Sequence, residues 1–307
     1  MNGVDVMRSR SAGRIRENLW YLGREESGIY LLEGMTSSLI ISGGMSYLAP
    51  VVLSQFRDFA IDETKIGKLL ILHSHFDHVG LVPFFKRRYP DLEVYASSRA
   101  WEILQTAKGI ETINAFSHLI AERMGFDGNV IGKDLQWHDG IIGKTVSEGA
   151  KIDLGGTIVE IVETPGHSSC SVSAYAPEMA ALFPSDGGGI PYGETIIPSG
   201  NSNFTKYQQS LIKLNTFTVD ILCADHYGFV MGKEAECYIA RCFDAAAEML
   251  ALIEDLFMRM GSIDATVDAL IDDTYSRNPD YFLAPEITAG IYRQTVRHSA
   301  GALQERA

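Results

Sequence analysis

An α/β fold followed by a helical C-terminal extension is what this sequence predicts, and three observations predict it. Residues 67–72 (Gly-Lys-Leu-Leu-Ile-Leu) form an almost unbroken apolar run, the pattern of a strand buried on both faces. A helical segment, 81–89, stopped by Pro90, and then a further strand, 92–96, give the strand–helix–strand order from which an α/β layer is built. From Lys233 onward the texture becomes helical, with Met249, Leu250, Ile253, Leu256, Phe257 and Met260 on one stripe.

The other elements follow in order. Segments 18–22, 29–32 and 38–42 are apolar or β-branched and are cut by Gly23, Gly34 and the Gly43-Gly44 pair, so they read as a meander of antiparallel strands. Ile113, Phe116, Ile120 and Met124 recur at helical spacing and mark an amphipathic helix. A second set of strands is expected at 152–154, 157–162, 171–175, 180–183 and 219–223, and two more helices after Gly261 and Pro285. The chemistry-bearing domain is drawn at residues 1–232 and the helical extension at 233–307.

Composition removes several classes of function. The 307 residues carry a net charge of −13, the wrong sign for a nucleic-acid binder. Ten acidic and two basic residues between Phe243 and Thr288 supply most of that excess, as expected of a solvated helical face. No stretch approaches 18 consecutive apolar residues, so no membrane span is expected. Residues 1–16 lack the apolar segment of a secretory signal, and Cys170, Cys223, Cys237 and Cys242 are too few for a disulfide framework. A cytoplasmic setting is the expectation. Cys223, Cys237 and Cys242 read as buried thiols.

The densest chemistry is His73-Ser74-His75-Phe76-Asp77-His78, directly after the buried strand. Side-chain direction in extended chain repeats every two residues, so His73 and His75 project to one side. Imidazole and carboxylate are the ligands that divalent ions such as zinc or iron prefer. Four such groups in six residues exceed what one tetrahedral ion with an open position needs, so two adjacent ions are expected. Further ligand types stand where later strands end: His167 after a Pro-Gly turn, Asp186, and His226.

With these residues the chain resembles the metallo-β-lactamase-fold hydrolases, whose signature is His-x-His-x-Asp-His followed by a distant His, Asp and His. The resemblance implies an αββα sandwich with a dinuclear site between its sheets. It assigns His73, His75 and His167 to one ion, Asp77, His78 and His226 to the other, and Asp186 to both. It also implies that a hydroxide held by the two ions attacks a carbonyl, with Asp77 orienting it. Spacing is most similar to members of the 2-aminobenzoylacetyl-CoA thioesterase type and of the glyoxalase II type. The chain departs from the family pattern at Leu72 (usually Thr), Ser185 (usually Gly), Gly80-Leu81 (often Gly-Gly) and Ser42 (often acidic).

No Tyr or Lys stands out near a ligand as an obvious general acid; the nearest phenols in sequence are Tyr192 and Tyr227. A thiol, with a pKa of about 8.5, leaves more readily without a proton than an alcohol or amine does. An acyl thioester is therefore the expected substrate, with lactonase or hydroxyacylglutathione hydrolase chemistry as alternatives. A regulatory protein that retains a metal site is the non-enzymatic alternative. Tyr192, Arg293 and Arg297 are the candidate substrate contacts, and the run Lys86-Arg87-Arg88 is a weaker one for an anion. His118, His138 and His298 read as structural, and Gly187-Gly188-Gly189 as backbone passing close to Asp186 into a flexible loop over the site. The only partner expected is a small-molecule substrate. A homodimer stays open.

Overall fold

The computed structural model describes residues 7–126, 135–279, 281 and 283–306. The secretory-signal reading falls partly on residues 1–6, which lie outside them. Strand β1 (Met7–Ser9) belongs to a later sheet. Four strands then form an antiparallel meander: β2 (Gly13–Arg16), β3 (Leu19–Arg24), β4 (Ser27–Glu33) and β5 (Ser38–Ile41). Helix α1 (Ala49–Asp58), absent from the sequence-based expectation, carries Pro50 in its first turn, where a missing N–H costs nothing. The predicted α/β unit follows as β6 (Ile66–Leu70), α2 (Val82–Arg88) and β7 (Glu93–Ser97). Helices α3 (Ser98–Leu104) and α4 (Ala107–Arg123) lead to β8 (Lys144–Val146). The strands β5, β6, β7 and β8 pair in parallel, completing a seven-stranded sheet in the order β2 to β8.

The second half builds β9 (Lys151–Asp153), β10 (Ile158–Glu163), β11 (Val172–Ala176) and β12 (Ala181–Phe183). A hairpin of β13 (Ile190–Tyr192) and β14 (Thr195–Ile197) and helix α5 (Phe204–Leu214) precede β15 (Ile221–Cys223) and β16 (Phe229–Met231). This sheet also has seven strands, ordered β1-β16-β15-β12-β11-β10-β9. Where a flexible loop was expected after the glycine run, the chain forms the β13–β14 hairpin. Three long helices close the chain: α6 (Lys233–Met260), α7 (Ile263–Arg277) and α8 (Pro285–Arg306).

Side-chain alternation sorts the apolar residues into layers. Leu32, Leu39, Ile41 and Leu70 of the first sheet meet Val159, Ile161, Phe183, Ile221 and Cys223 of the second, forming the core between the sheets. Their neighbours Leu31, Ile40 and Leu69 face the opposite way, onto α1 to α4. In the second sheet Val162, Leu182 and Leu222 face α5 and α6. The layers run helix, sheet, sheet, helix, which is the αββα sandwich. Ile253, Leu256, Val267, Leu270, Tyr292 and Val296 form a separate core joining α6, α7 and α8. Cys223 and Cys242 are buried as expected, but Cys237 is exposed, because it faces away from the α6 stripe that packs on the sheet. Among the described residues no helix is long and apolar enough to cross a membrane.

Candidate metal centre

Every ligand candidate stands in a chain segment that follows the C-terminal end of a strand. After β6 an extended stretch and a 3-10 turn (Phe76–His78) carry His73, His75, Asp77 and His78. His167 follows β10, Asp186 sits in the 3-10 turn Ser185–Gly188 after β12, and His226 follows β15. Hydrogen bonds between the sheets gather these ends. Val172 N donates to Leu72 O (2.8 Å), Tyr30 Oη to Ala224 O (2.6 Å) and Gly28 N to Asp225 O (2.7 Å). At Gly166 (φ 141°) a Cβ would lie 2.3 Å from Tyr207 Cα, so only glycine lets the turn before His167 seat against α5. Ser42 (φ 69°), Ser185 (φ 50°) and Tyr227 (φ 60°) are non-glycine residues in the left-handed region. All three border the site, where conformational strain of this kind tends to collect.

The seven side chains converge into two groups. His73 Nε2, His75 Nδ1 and His167 Nε2 lie 3.0–3.2 Å from one another. Asp77, His78 and His226 form the second group, with His226 Nε2 3.5 Å and His78 Nε2 3.7 Å from Asp77 Oδ2. Asp186 stands between them: its Oδ2 is 3.3 Å from both His167 Nε2 and His78 Nε2, and its Oδ1 is 3.5 Å from His226 Nε2.

Electrostatics divide the cluster in the same way. Burial lowers the pKa of His73, His75 and His167, and neighbouring imidazoles push His73 and His75 further down, His75 to about 4. Burial also acts against charge on His78 and His226, but Asp186 and Asp77 outweigh it and hold both rings above their ordinary value. Burial pushes Asp77 up, yet His78 and His226 bring it down to about 2. Asp186 is held well below the usual carboxylate range, its burial being overcome by His78, His226 and His167.

The donor set fits divalent cations. His167 Nδ1 donates to Ser199 O (2.9 Å), His226 Nδ1 to Glu26 O (2.7 Å) and His78 Nδ1 to Asp225 Oδ2 (2.9 Å). Protons on these Nδ1 atoms leave the Nε2 lone pairs aimed into the cluster, the arrangement by which ligating histidines are oriented. The buried His78 Nε2 has only carboxylate oxygens near it, Asp186 Oδ2 at 3.3 Å and Asp77 Oδ2 at 3.7 Å. Three lone pairs at mutual distances near 3 Å call for a shared cation.

A family model for the metallo-beta-lactamase superfamily matches residues 23–226, about two-thirds of the sequence and all seven ligand candidates. The chain belongs to the metallo-β-lactamase superfamily. It is 23% identical over 214 residues to the metallo-beta-lactamase fold-containing protein ST1585 of Sulfurisphaera tokodaii, covering 69% of this chain and 77% of that protein. The crystal structure of ST1585 aligns with a TM-score of 0.58 at 19% identity over 76% of this chain and 87% of that one. The family protein TTHA1429 of Thermus thermophilus aligns with a TM-score of 0.66 at 15% identity over 95% of both chains. That likeness therefore reaches into the C-terminal helices, beyond the metallo-β-lactamase core.

In this metallo-β-lactamase fold the cluster opens into a cavity of about 970 Å³. His75, Asp77, His167 and Asp186 form part of its wall. Ile113, Phe116 and Leu119 of α4 line one side, Ile287, Ile291 and Tyr292 of α8 another, and Ile190 and Ile197 of the hairpin a third. Tyr281 is the further phenol on the wall, and burial, reinforced by Asp186, raises its pKa, so it keeps its proton.

The predicted substrate contacts lie elsewhere among the described residues. Tyr192 is not on the wall; its ring meets Tyr227 edge-on (5.0 Å) and Tyr281 (6.2 Å), so it backs the wall residue Tyr281. Arg293 turns to Asp264 (2.9 Å) and Arg297 is exposed, and neither lines the cavity. Lys86 donates to Leu92 O and Arg88 pairs with Glu63, so that run is occupied by its own surroundings. The cations on the wall are Arg99, Lys108 and Arg123, none of them singled out by sequence. His118 pairs with Glu122 on the surface and His138 caps its own turn at Gly140, both structural as expected.

Proposed function

We propose that the protein is a metal-dependent hydrolase of ester-type bonds and that its substrate is an acyl thioester. One observation carries this: the two ligand groups open directly into a cavity whose walls are mainly apolar and whose cations lie toward solvent. At about 970 Å³ it stands near the upper end of small-molecule sites, about 300–1,000 Å³, with room for more than a reacting carbonyl.

His73, His75 and His167 would hold one divalent ion, zinc or iron, and Asp77, His78 and His226 the other, with Asp186 shared. Such ions, when bound, supply Lewis acidity and make water nucleophilic near neutral pH. The chain's own residues do the rest. Asp77 and Asp186 stay ionised and anchor the opposed imidazoles. Ile113, Phe116, Ile287 and Ile291 bury an acyl group and exclude water from the carbonyl. Lys108 offers positive charge to an anionic leaving portion, beside Arg99 and Arg123, which pair with Glu102 and Glu286 on the same wall. A thiolate departs without help from an acid.

A second reading rests on Tyr281. A phenol that holds its proton on the cavity wall suits an alkoxide leaving group, and so an oxyester or lactone. Metal-loaded protein assayed on acyl-CoA, acyl-glutathione, acyl-lactone and phosphodiester panels separates these. Thioester turnover with kcat/KM rising with acyl length supports the first reading. Lactone turnover without thioester turnover replaces it with the second, and phosphodiester turnover alone overturns both.

A further inference from the structure

We infer that Asp225 and Ser185 are a positioning pair that couples the two ligand groups, Asp225 anchoring His78 and Ser185 tying that carboxylate to His73. The inference rests on the metal-site part of the reading above and is independent of the substrate.

Asp225 is 2% exposed, and the contacts of its carboxylate converge on one oxygen among the described residues. Its Oδ2 is 2.9 Å from His78 Nδ1 and 2.5 Å from Ser185 Oγ. A carboxylate of this kind accepts only, so both neighbours donate to it. The Ser185 hydroxyl, having given its hydrogen to Asp225, keeps lone pairs for His73 Nδ1, 3.3 Å away. The chain of donors therefore runs from His73 Nδ1–H to Ser185 and from Ser185 to Asp225, which also takes His78 Nδ1–H. Both rings are left with Nε2 free to ligate, one in each group.

Two departures from the family pattern become intelligible together. Ser42 stands where an acidic residue is frequent, and its hydroxyl reaches only 3.5 Å from His78 Nδ1. Asp225 delivers the carboxylate to that same nitrogen from the other sheet. Ser185 stands where glycine is usual and holds a left-handed φ of 50°, a conformation glycine takes without strain. The side chain retained there is the hydroxyl that completes the pair.

Zinc titration of the purified full chain by calorimetry, with the visible spectrum of its cobalt(II) form, tests the pair against D225N, S185G and the double variant. Loss of an outer partner of a ligating histidine weakens metal binding by about 10- to 100-fold. D225N is expected within that range, S185G at its lower end. The double variant should be no more than a few-fold worse than D225N, because the two act through one contact. S42D in the D225N background is expected to return a carboxylate to His78 and recover most of the affinity. Wild-type zinc affinity and cobalt spectrum in D225N, or losses that multiply in the double variant, would overturn the pair. If D225N does not fold, unchanged affinity in S185G does the same. Wild-type protein that takes up no metal sinks the metal site itself, a distinct result.

Discussion

Arg123 Nη2 lies 3.5 Å from Glu286 Oε2, so an ion pair joins the end of α4 to the start of α8 where both line the cavity. Both side chains are well exposed, at 43% and 76%, and such pairs contribute only about 0–1 kcal/mol. Glu286→Ala is expected to lower the melting temperature by no more than about 3 °C. It also releases a wall cation from its acidic partner. KM for an anionic acyl-CoA should fall about two- to fivefold, while KM for a neutral thioester stays unchanged, an effect that added salt removes. Steady-state kinetics on the two substrates checks it.

Asp186→Ala removes the one carboxylate that faces both ligand groups. Elemental analysis after metal loading and dialysis should find less than one ion per chain. Hydrolysis should fall by at least about a thousandfold, or about 4 kcal/mol in transition-state stabilisation.

The metal-free protein should show opposed pH limbs. His73, His75 and His167 have lowered pKa values, so their contribution is complete above about pH 6.5 and is lost as pH falls, for His75 through about 4. His78 and His226 have raised values, so theirs is complete below about pH 6.5 and is lost as pH rises through the folded values. Metal binding displaces the protons on His78 and His226, so zinc affinity should climb with pH above about 6.5. Calorimetry in buffers of different ionisation heat should count up to about two protons released. Affinity that is flat across this window would contradict the assignment.

Tyr281→Phe separates leaving groups. Removing the phenolic proton should cost roughly tenfold in kcat on an oxyester or lactone, about 1.4 kcal/mol, and much less on a thioester. Equal losses on both would assign the hydroxyl to binding, and none on either would remove it from the chemistry.

What could be read from the sequence, and what could not, follows from where the information resides. Histidines and aspartates at strand ends are chemically costly to bury without partners, so His73 to His78, His167, Asp186 and His226 stood out one by one. Strands β4, β5, β6 and β10 were legible as apolar or β-branched runs bounded by glycines, turns or the histidine cluster. Strands β13, β14 and β16 have three residues each, too few for alternation to declare itself, whereas the equally short β15 was marked by the apolar residues of 219–223. Asp225 was in plain view beside His226, but its role depends on a turn after β12 arriving beside it. The wall cations were missed for a related reason. Lys86, Arg87 and Arg88 are conspicuous as a run, whereas Arg99, Lys108 and Arg123 are scattered through α3 and α4 and meet only around the cavity.

The last helix supplies much of one cavity wall yet none of the seven candidate ligands. Grafting a foreign α8, or trimming its Ile287 and Ile291, would retune which molecules are admitted while leaving the reactive apparatus untouched. In that sense the scaffold is an engine with a detachable filter, and new selectivities could arise by tinkering at the tail alone.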